Sequence, residues 1–587
     1  MAFDGIVTKA ITSELQNVIG ARIDKIYEPN KNDIILGFYL NGMNYALNIC
    51  TNSQNYRLHL TTHSKPNPKN APNFCMLLRK HLIGLRIKNI ISSNLERVVT
   101  IEFEGFDDVD DIITKKLIIE LMGRHCNIVL IDENNIIIDS LRHISSSNNE
   151  LTRDIIPHVK YVYPHTDKLN FLDSIDFNDF KSKLSIDYHH TCIDQLPEYI
   201  SNTFNGISKS FVKHILTSLD LDSSSLITDT ILENVYQYID EIILRTDTLN
   251  LGFEILKDTM GKTKDYVLVK HTNSKPFSLN FFIDDYYFQK ESSEEFKIYR
   301  DSISKLILDT LKKYNKRLIH INEKLKECDH METYKLYGEL ITANLYRIKN
   351  ENTNTLTLEN YYDHNKEITI PLDKRYSPSH NAKLFFKKYN KLKNALKIVG
   401  EQKEETIKDL EYIESVVYEL EACHSIEDIT NVFEEISESS VFKEKTDKYQ
   451  KKKHAKIKKS KLTKNKYVNF NPIKYTIDDY TFLVGRNNME NDYLTLKYAK
   501  KTDLWFHTKD IHGSHCILIL PHPISPDNDI LVKCAQIAAY HSKAKNSSNV
   551  PVDICEVKYV KKPNGSKPGM VIYKNQKTLH VNPKSCP

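Results

Sequence analysis

Two runs of apolar residues at alternating steps of four and three constrain the fold of this chain more than any other feature. The first is Ile307, Leu311, Tyr314, Leu318, Ile321, Leu325 and Cys328. The second is Phe385, Tyr389, Leu392, Leu396, Val399, Leu410, Ile413, Val417 and Leu420, interrupted only at Lys403 and Thr406. A repeat of about 3.5 residues held over this length keeps apolar side chains on one helical seam and predicts a coiled coil. A single lysine on such a seam costs stability but can fix register. Between the runs, Thr355-Leu356-Thr357-Leu358 and Glu367-Ile368-Thr369-Ile370 flank Asp363-His364-Asn365, which predicts a strand pair. The simplest topology is an antiparallel intramolecular arm over 286–440 with a tip hairpin near 351–372. At a rise of 1.5 Å per residue, about 40 residues of helix reach about 60 Å. An intermolecular dimer is the competing arrangement.

The segments on either side read as mixed helix and strand, so the expected fold is multidomain α+β. Residues 1–170 form an N-terminal α/β domain. Strands are expected at 33–40, 97–103, 117–121 and 127–131, the last entering a hairpin through Asp132-Glu133-Asn134-Asn135. A helix over 74–83 should stop at Gly84. Residues 171–285 are mostly helical. There Phe204-Asn205-Gly206-Ile207-Ser208-Lys209, followed by Phe211, Val212 and Ile215 at helical spacing, suits a helix-hairpin-helix that presents backbone N–H groups to phosphate. A plain helix-helix turn suits it equally. The linker at 441–466 contains ten lysines and no acidic residue between 448 and 466. It is either a solvated spacer or a nucleic-acid tether. Residues 467–587 form a second α/β domain. Strands are expected at 480–485 and 516–520, a helix at 530–543, and a basic loop at Lys562-Pro563-Asn564-Gly565-Ser566-Lys567-Pro568-Gly569.

Composition excludes more than it selects. The net charge is only +4 and glycine numbers 16, leaving little material for glycine-rich phosphate loops. Walker A, GxGxxG, HExxH and GxSxG patterns are absent. The ten cysteines never fall at CxxC spacing, so reduced thiols are expected and a cysteine-built zinc site is not. The opening Met-Ala-Phe-Asp-Gly lacks a basic and an apolar region, and no apolar run is long enough to span a bilayer. A cytoplasmic protein without a membrane partner, metal or cofactor is therefore expected.

The most chemical-looking stretch is Asp503-Leu504-Trp505-Phe506-His507-Thr508-Lys509, followed by His512-Gly513-Ser514-His515. Histidines at 507, 512, 515 and 522 suggest metal, but only Asp510 joins them at short ligand spacing. The mixture of aromatic, His, Lys and Ser suits RNA better, through stacking and phosphate contact. Buried structural histidines are the competing reading. Other charges are individually bland. Asp4 suits a helix cap, Glu96-Arg97 an ordinary surface ion pair, and Arg124-His125 after Gly123 a hairpin turn.

The order of these pieces resembles the NFACT family of ribosome quality-control factors. Ala2-Phe3-Asp4-Gly5-Ile6, Met122-Gly123-Arg124-His125-Cys126-Asn127-Ile128, Asn381-Ala382 and Lys387-Lys388-Tyr389 carry the resemblance. So do Trp505-Phe506-His507-Thr508-Lys509, Gly513-Ser514-His515, Lys562-Pro563, Lys567-Pro568-Gly569 and Lys577-Thr578-Leu579. It covers essentially the whole chain. The resemblance implies binding to a large ribosomal subunit obstructed by peptidyl-tRNA, recruitment of alanyl-tRNA, and alanine tailing of the stalled peptide. A small S4-like RNA-binding partner is implied as well. The chain itself would not be an enzyme, because the ribosome makes the peptide bond. The resemblance places tRNA handling at Asp4, Glu96, Arg97, Arg124 and His125. It places RNA or ribosome contact at Trp505, His507, Lys509, Ser514, His515, Lys562 and Lys567. The family carries an Asp-Arg pair where this chain reads Glu96-Arg97, one methylene longer. Two other functions compete: a surface fibronectin-binding adhesin, which needs an export signal, and a DNA glycosylase, which needs an N-terminal proline where this chain has Met1-Ala2-Phe3.

Overall fold

The computed structural model describes residues 3–106, 111–145, 153–174, 176–184, 191–220, 224–258, 261, 263–270, 278–348, 353–452, 470–521 and 526–585, leaving aside the side chains of 448 and 450–452. The lysine-rich stretch at 453–466, residues 351–352 of the expected tip, Ala2 and His522 lie outside the described residues. The chain divides into two compact units, Met1–Ser292 and Ser293–Pro587.

The first unit is built on one nine-stranded sheet. Its strands are β1 (Arg22–Asn30), β2 (Asp33–Leu40), β3 (Met43–Cys50), β4 (Arg57–Leu60), β5 (Arg86–Ser92), β6 (Val98–Phe106), β7 (Ile112–Glu120), β8 (Asn127–Ile131) and β9 (Ile137–Ser140), in the order β4-β3-β2-β1-β5-β6-β7-β8-β9. Every pairing is antiparallel. The imperfect alternation of β2 has a physical cause: Ile34, Ile35, Leu36 and Phe38 are all buried, so the strand is covered on both faces. In β6, Val99, Ile101 and Phe103 enter the main core, while Val98 packs across the sheet with Ile118 and Val129.

Helix α1 (Gly5–Glu14) opens the unit, and α2 (Asn73–Leu82) stops before Gly84, whose φ is +92°. Four further helices follow: α3 (Phe177–Leu184), α4 (Leu196–Thr203), α5 (Lys209–Ser218) and α6 (Asp229–Thr248). The hairpin β10 (Leu251–Lys257) and β11 (Thr263–Lys270) comes next. The segment 171–285 shares one continuous core with the sheet, and a cluster of Phe171, Phe180 and Phe204 seats the α4–α5 turn in it.

Helix α7 (Leu279–Cys328) starts in the first unit and ends in the second. It is followed by α8 (Met331–Asn344), the hairpin β12 (Thr355–Asn360) and β13 (Lys366–Pro371), and α9 (Pro378–Ala422). Near one end Ile303 and Ile307 pack against Tyr412, Ile413, Val416 and Leu420, while Phe385 packs against Leu340 and Ile341 near the other. The arm is therefore intramolecular and antiparallel. The buried seam includes Ile307, Ile321, Cys328, Phe385, Val399, Leu410, Ile413 and Leu420. Thr406 sits on it fully buried, its hydroxyl donating to the Gln402 carbonyl at 2.7 Å. Leu396 departs from the expected seam and is 37% exposed. Helix α9 faces α8 and then α7 in turn, and one strict register cannot serve both partners.

After α10 (Ile426–Glu438) and α11 (Lys443–Lys452) comes the C-terminal domain. Its strands are β14 (Ile473–Ile477), β15 (Tyr480–Val484), β16 (Leu504–Thr508), β17 (Cys516–Ile519), β18 (Val550–Glu556) and β19 (Lys577–Val581), with helices α12 (Asn488–Tyr493) and α13 (Asn528–Tyr540). The strand order is β14-β15-β17-β16-β18-β19, again antiparallel throughout. Both sheets are thus antiparallel, and the chain is α+β with no parallel α/β layer among the described residues.

The domain joins the foot of the arm through buried polar contacts. Asn488 donates to Glu435 Oε1 (3.2 Å) and Ser415 Oγ (3.1 Å), the Tyr412 hydroxyl donates to Glu435 Oε1 (2.9 Å), and Lys567 pairs with Asp409 (3.2 Å). Burial raises the carboxyls of Glu419 and Glu435 above the ordinary glutamate value, and the two share a buried site where both cannot ionise cheaply. A carboxyl raised in the folded state lends stability that is complete below its unfolded value and is lost as pH rises through the folded one. Glu435→Gln should therefore flatten the fall in melting temperature of the full chain between pH 5 and 8. A melting curve that falls as steeply in the variant as in the parent would refute a protonated pair.

Candidate nucleic-acid interface

Three segments distant in sequence meet at the start of α1. Asp4 caps the helix, its carboxylate accepting from Val7 N at 3.1 Å and from the Ser208 hydroxyl. Gly5 N donates to the carbonyl of Gly206 in the α4–α5 turn at 2.9 Å. The loop at Leu95, itself at φ +55°, closes over both glycines. A Cβ on Gly5 would lie 1.9 Å from Leu95 O, and one on Gly206, at φ +75°, would lie 2.1 Å from the same oxygen. These glycines are therefore required by close backbone approach.

The interlock brings Arg97, just before β6, over a cavity of about 200 Å³ lined by Asp4, Tyr56, Arg97, Lys168, Ser208 and Lys209 among others. Arg97 Nη1 donates to the Tyr56 hydroxyl at 2.9 Å. Lys168 donates to the Ser201 carbonyl at 2.6 Å, and its ammonium is lowered by burial first, then by Arg97 and Lys209. Burial raises the Asp4 carboxyl, opposed by Ser208, Val7 and Arg97. Ser208 caps α5, so the start of that helix borders the cavity. Three cations, a helix N-terminus and one aromatic hydroxyl form a site suited to a phosphate with an attached sugar or base.

Glu96 is half-buried, its carboxyl raised by burial, and it is not part of the cavity wall. Among the described residues no ion pair joins it to Arg97, which Tyr56 holds instead. Arg124 and His125 lie exposed on a single 3-10 turn, Gly123–His125, away from the cavity lining.

In the C-terminal domain the expected RNA contacts divide. Trp505 is fully buried on the central strand β16, stacked on His507 with ring centres 5.5 Å apart. His515 is also buried, its Nδ1 sharing a 2.9 Å hydrogen bond with Thr495 Oγ1. Burial pushes the imidazoles of His507 and His515 down to about 4 and about 3, so both are neutral at physiological pH. This corrects the expectation that Trp505 and His515 touch RNA: neither ring reaches the surface, and both belong to the core of the sheet. Lys562 is paired with Asp492, and Lys567 with Asp409. Ser514 is half-buried and Lys509 exposed.

The profile of the NFACT N-terminal and middle domains matches residues 4–455, and that of the NFACT RNA-binding domain matches residues 466–575. The chain belongs to the NFACT family. It is 33% identical to the Rqc2 homolog RqcH of Bacillus subtilis, covering 99% of this chain and 98% of that protein. It is 32% identical to the Rqc2 homolog RqcH of Streptococcus suis, again over 99% and 98%. Among solved structures, the fibrinogen binding protein of Staphylococcus aureus is 27% identical, covers 49% of this chain and 99% of that one, and has a TM-score of 0.40.

Within this NFACT chain the cavity includes four residues outside those assigned to tRNA handling from the sequence. Ser208 and Lys209 stand in the hairpin motif that the sequence singled out, though not as a pocket wall. Tyr56 and Lys168 carry no local signal, since only the tertiary fold brings them to Arg97. Among the described residues no helix is long and apolar enough to cross a membrane.

Proposed function

We propose that this NFACT protein is a ribosome quality-control factor acting in the cytoplasm on large subunits obstructed by peptidyl-tRNA. On this reading it recruits tRNA, alanyl-tRNA above all, and directs alanine tailing of the stalled chain, with a small S4-like RNA-binding protein as partner. The observation that supports it best is the cavity carrying Arg97, Lys168 and Lys209 beside the N-terminus of α5, which suits a phosphate and its sugar. The relatives named RqcH and the RNA-binding domain support the same reading. The chain would make no covalent bond itself: it positions tRNA, and the ribosome draws on the aminoacyl ester.

The test is to tag the full chain, purify it from cells with stalled ribosomes, and sequence the bound RNA. Large-subunit RNA without small-subunit RNA, together with an excess of alanine tRNA, is the expected result. A tRNA population that mirrors the cellular pool would overturn the tailing role.

A further inference from the structure

The pentapeptide Lys-Tyr-x-Lys-Lys occurs at 448–452, 497–501 and 558–562. The second and third copies lie in the RNA-binding domain, Lys497-Tyr498-Ala499-Lys500-Lys501 before β16 and Lys558-Tyr559-Val560-Lys561-Lys562 after β18. Strands β16 and β18 pair antiparallel, Leu504 opposite Glu556, so the end of one copy meets the start of the other. The join is made by backbone: Val557 N donates to Asp503 O at 3.0 Å, and Lys558 N to Lys501 O at 3.2 Å. The acidic residue at this corner is turned inward. Asp503 is fully buried, its carboxylate accepting from Lys500 N at 2.7 Å and Leu520 N at 3.1 Å. What remains outside, apart from Glu556, is cationic and aromatic. Lys497, Lys500, Lys501, Lys558 and Lys561 are exposed, and Tyr498 is 50% exposed with Phe470 against it at 5.1 Å. Lys558 lies 4.9 Å from the Tyr559 ring and pairs with Glu556. Among the described residues no carboxylate forms an ion pair with Lys500, Lys501 or Lys561.

We propose that this paired corner is the surface by which the domain grips the RNA backbone, with Lys500, Lys501 and Lys561 on phosphates and Tyr498 under a base. The inference rests on the reading of the domain as RNA-binding and adds the face that does it. Lysines interleaved with aromatic rings are the chemistry of single-stranded RNA contact, sequence-tolerant and dependent on salt. Four of the residues first expected to touch RNA are less available, because Trp505 and His515 are buried and Lys562 and Lys567 are already paired within the protein.

The experiment uses the full chain and a short fluorescein-labelled single-stranded RNA, titrated over a series of salt concentrations. The triple variant Lys500→Gln, Lys501→Gln, Lys561→Gln should bind at least about tenfold more weakly, and its salt slope should fall by about 2, at roughly 0.7 for each phosphate no longer neutralised. The matching arginine triple should bind like the parent. A control triple of exposed lysines elsewhere in the domain, Lys474→Gln, Lys543→Gln, Lys584→Gln, removes the same charge and should leave most of the affinity in place. Equal binding and slope in parent and corner variant would overturn the proposal, as would equal weakening by the control. A parent that binds no RNA would instead overturn the RNA-binding reading and this inference with it. Melting temperatures of all variants should match the parent, since every replaced side chain is exposed.

Discussion

Arg97→Ala is expected to abolish tRNA recruitment and tailing while leaving large-subunit binding largely intact. Arg97 is held by the Tyr56 hydroxyl at 2.9 Å, whereas Lys209 is paired with Glu198 at 2.7 Å, and the planar fork of Arg97 can grip a phosphate with two parallel bonds. Arg97 is half-buried, so its removal should fall toward the lower end of the about 2–5 kcal/mol typical of a hydrogen-bonded charge pair, about 30-fold or more in affinity. Tyr56→Phe should cause a smaller loss in the same direction, because it frees the guanidinium without removing it. The arm and the C-terminal domain are separate elements, so subunit binding should survive. The measurement is bound tRNA and tail length in subunit complexes purified from cells expressing each variant. Normal tails with Arg97→Ala would show that the cavity does not handle tRNA.

Gly206→Ala is expected to destabilise the first unit by about 3–4 kcal/mol. The new Cβ would lie 2.1 Å from Leu95 O and 2.7 Å from Leu95 Cβ, at φ +75°. The left-handed conformation alone costs an L-residue about 1–2 kcal/mol, and overpacking against backbone adds about 1–3 kcal/mol. Gly42→Ala separates the two contributions. Its φ is +84° and nothing lies within 4 Å of the added carbon, so only the conformational part, about 1 kcal/mol, should appear. Urea denaturation of the full chain, followed by a probe in the sheet, measures both. Equal losses at the two positions would mean that the turn yields to the methyl group and that the interlock is soft.

How much of this was legible depended on whether a residue's role was local. The seam of the arm could be read because Ile307, Ile321, Val399 and Ile413 repeat over tens of residues, and helix period needs no tertiary knowledge. Strand β2 could be read because its apolar run is dense, even though burial on both faces erased the alternation. Strand β16 misled for the opposite reason. Leu504-Trp505-Phe506-His507 mixes a large ring with an imidazole, which suggests contact chemistry, whereas at a central strand position Trp505 is fully buried and His507 stacks on it half-buried. The cavity was half legible. Asp4 and Arg97 came from family resemblance and Ser208 from its motif, but Tyr56 and Lys168 lie about 40 and 70 residues from Arg97 and reach it only through the folded sheet. Glu96, next to Arg97 in sequence, lies outside the cavity wall, and among the described residues no ion pair joins the two.

The antiparallel course of the arm makes its length a paired quantity. Helix α7 leaves the foot and α9 returns to it, with Ile303 and Leu420 in the same apolar cluster. Seven residues added to the outgoing helices alone would keep the seam in phase but leave one heptad without a partner on the returning helix. Seven added to each at matched heights would carry the β12–β13 hairpin about 10 Å outward and leave the foot untouched. The arm is thus a ruler graduated in heptads, whose two scales can only be lengthened together.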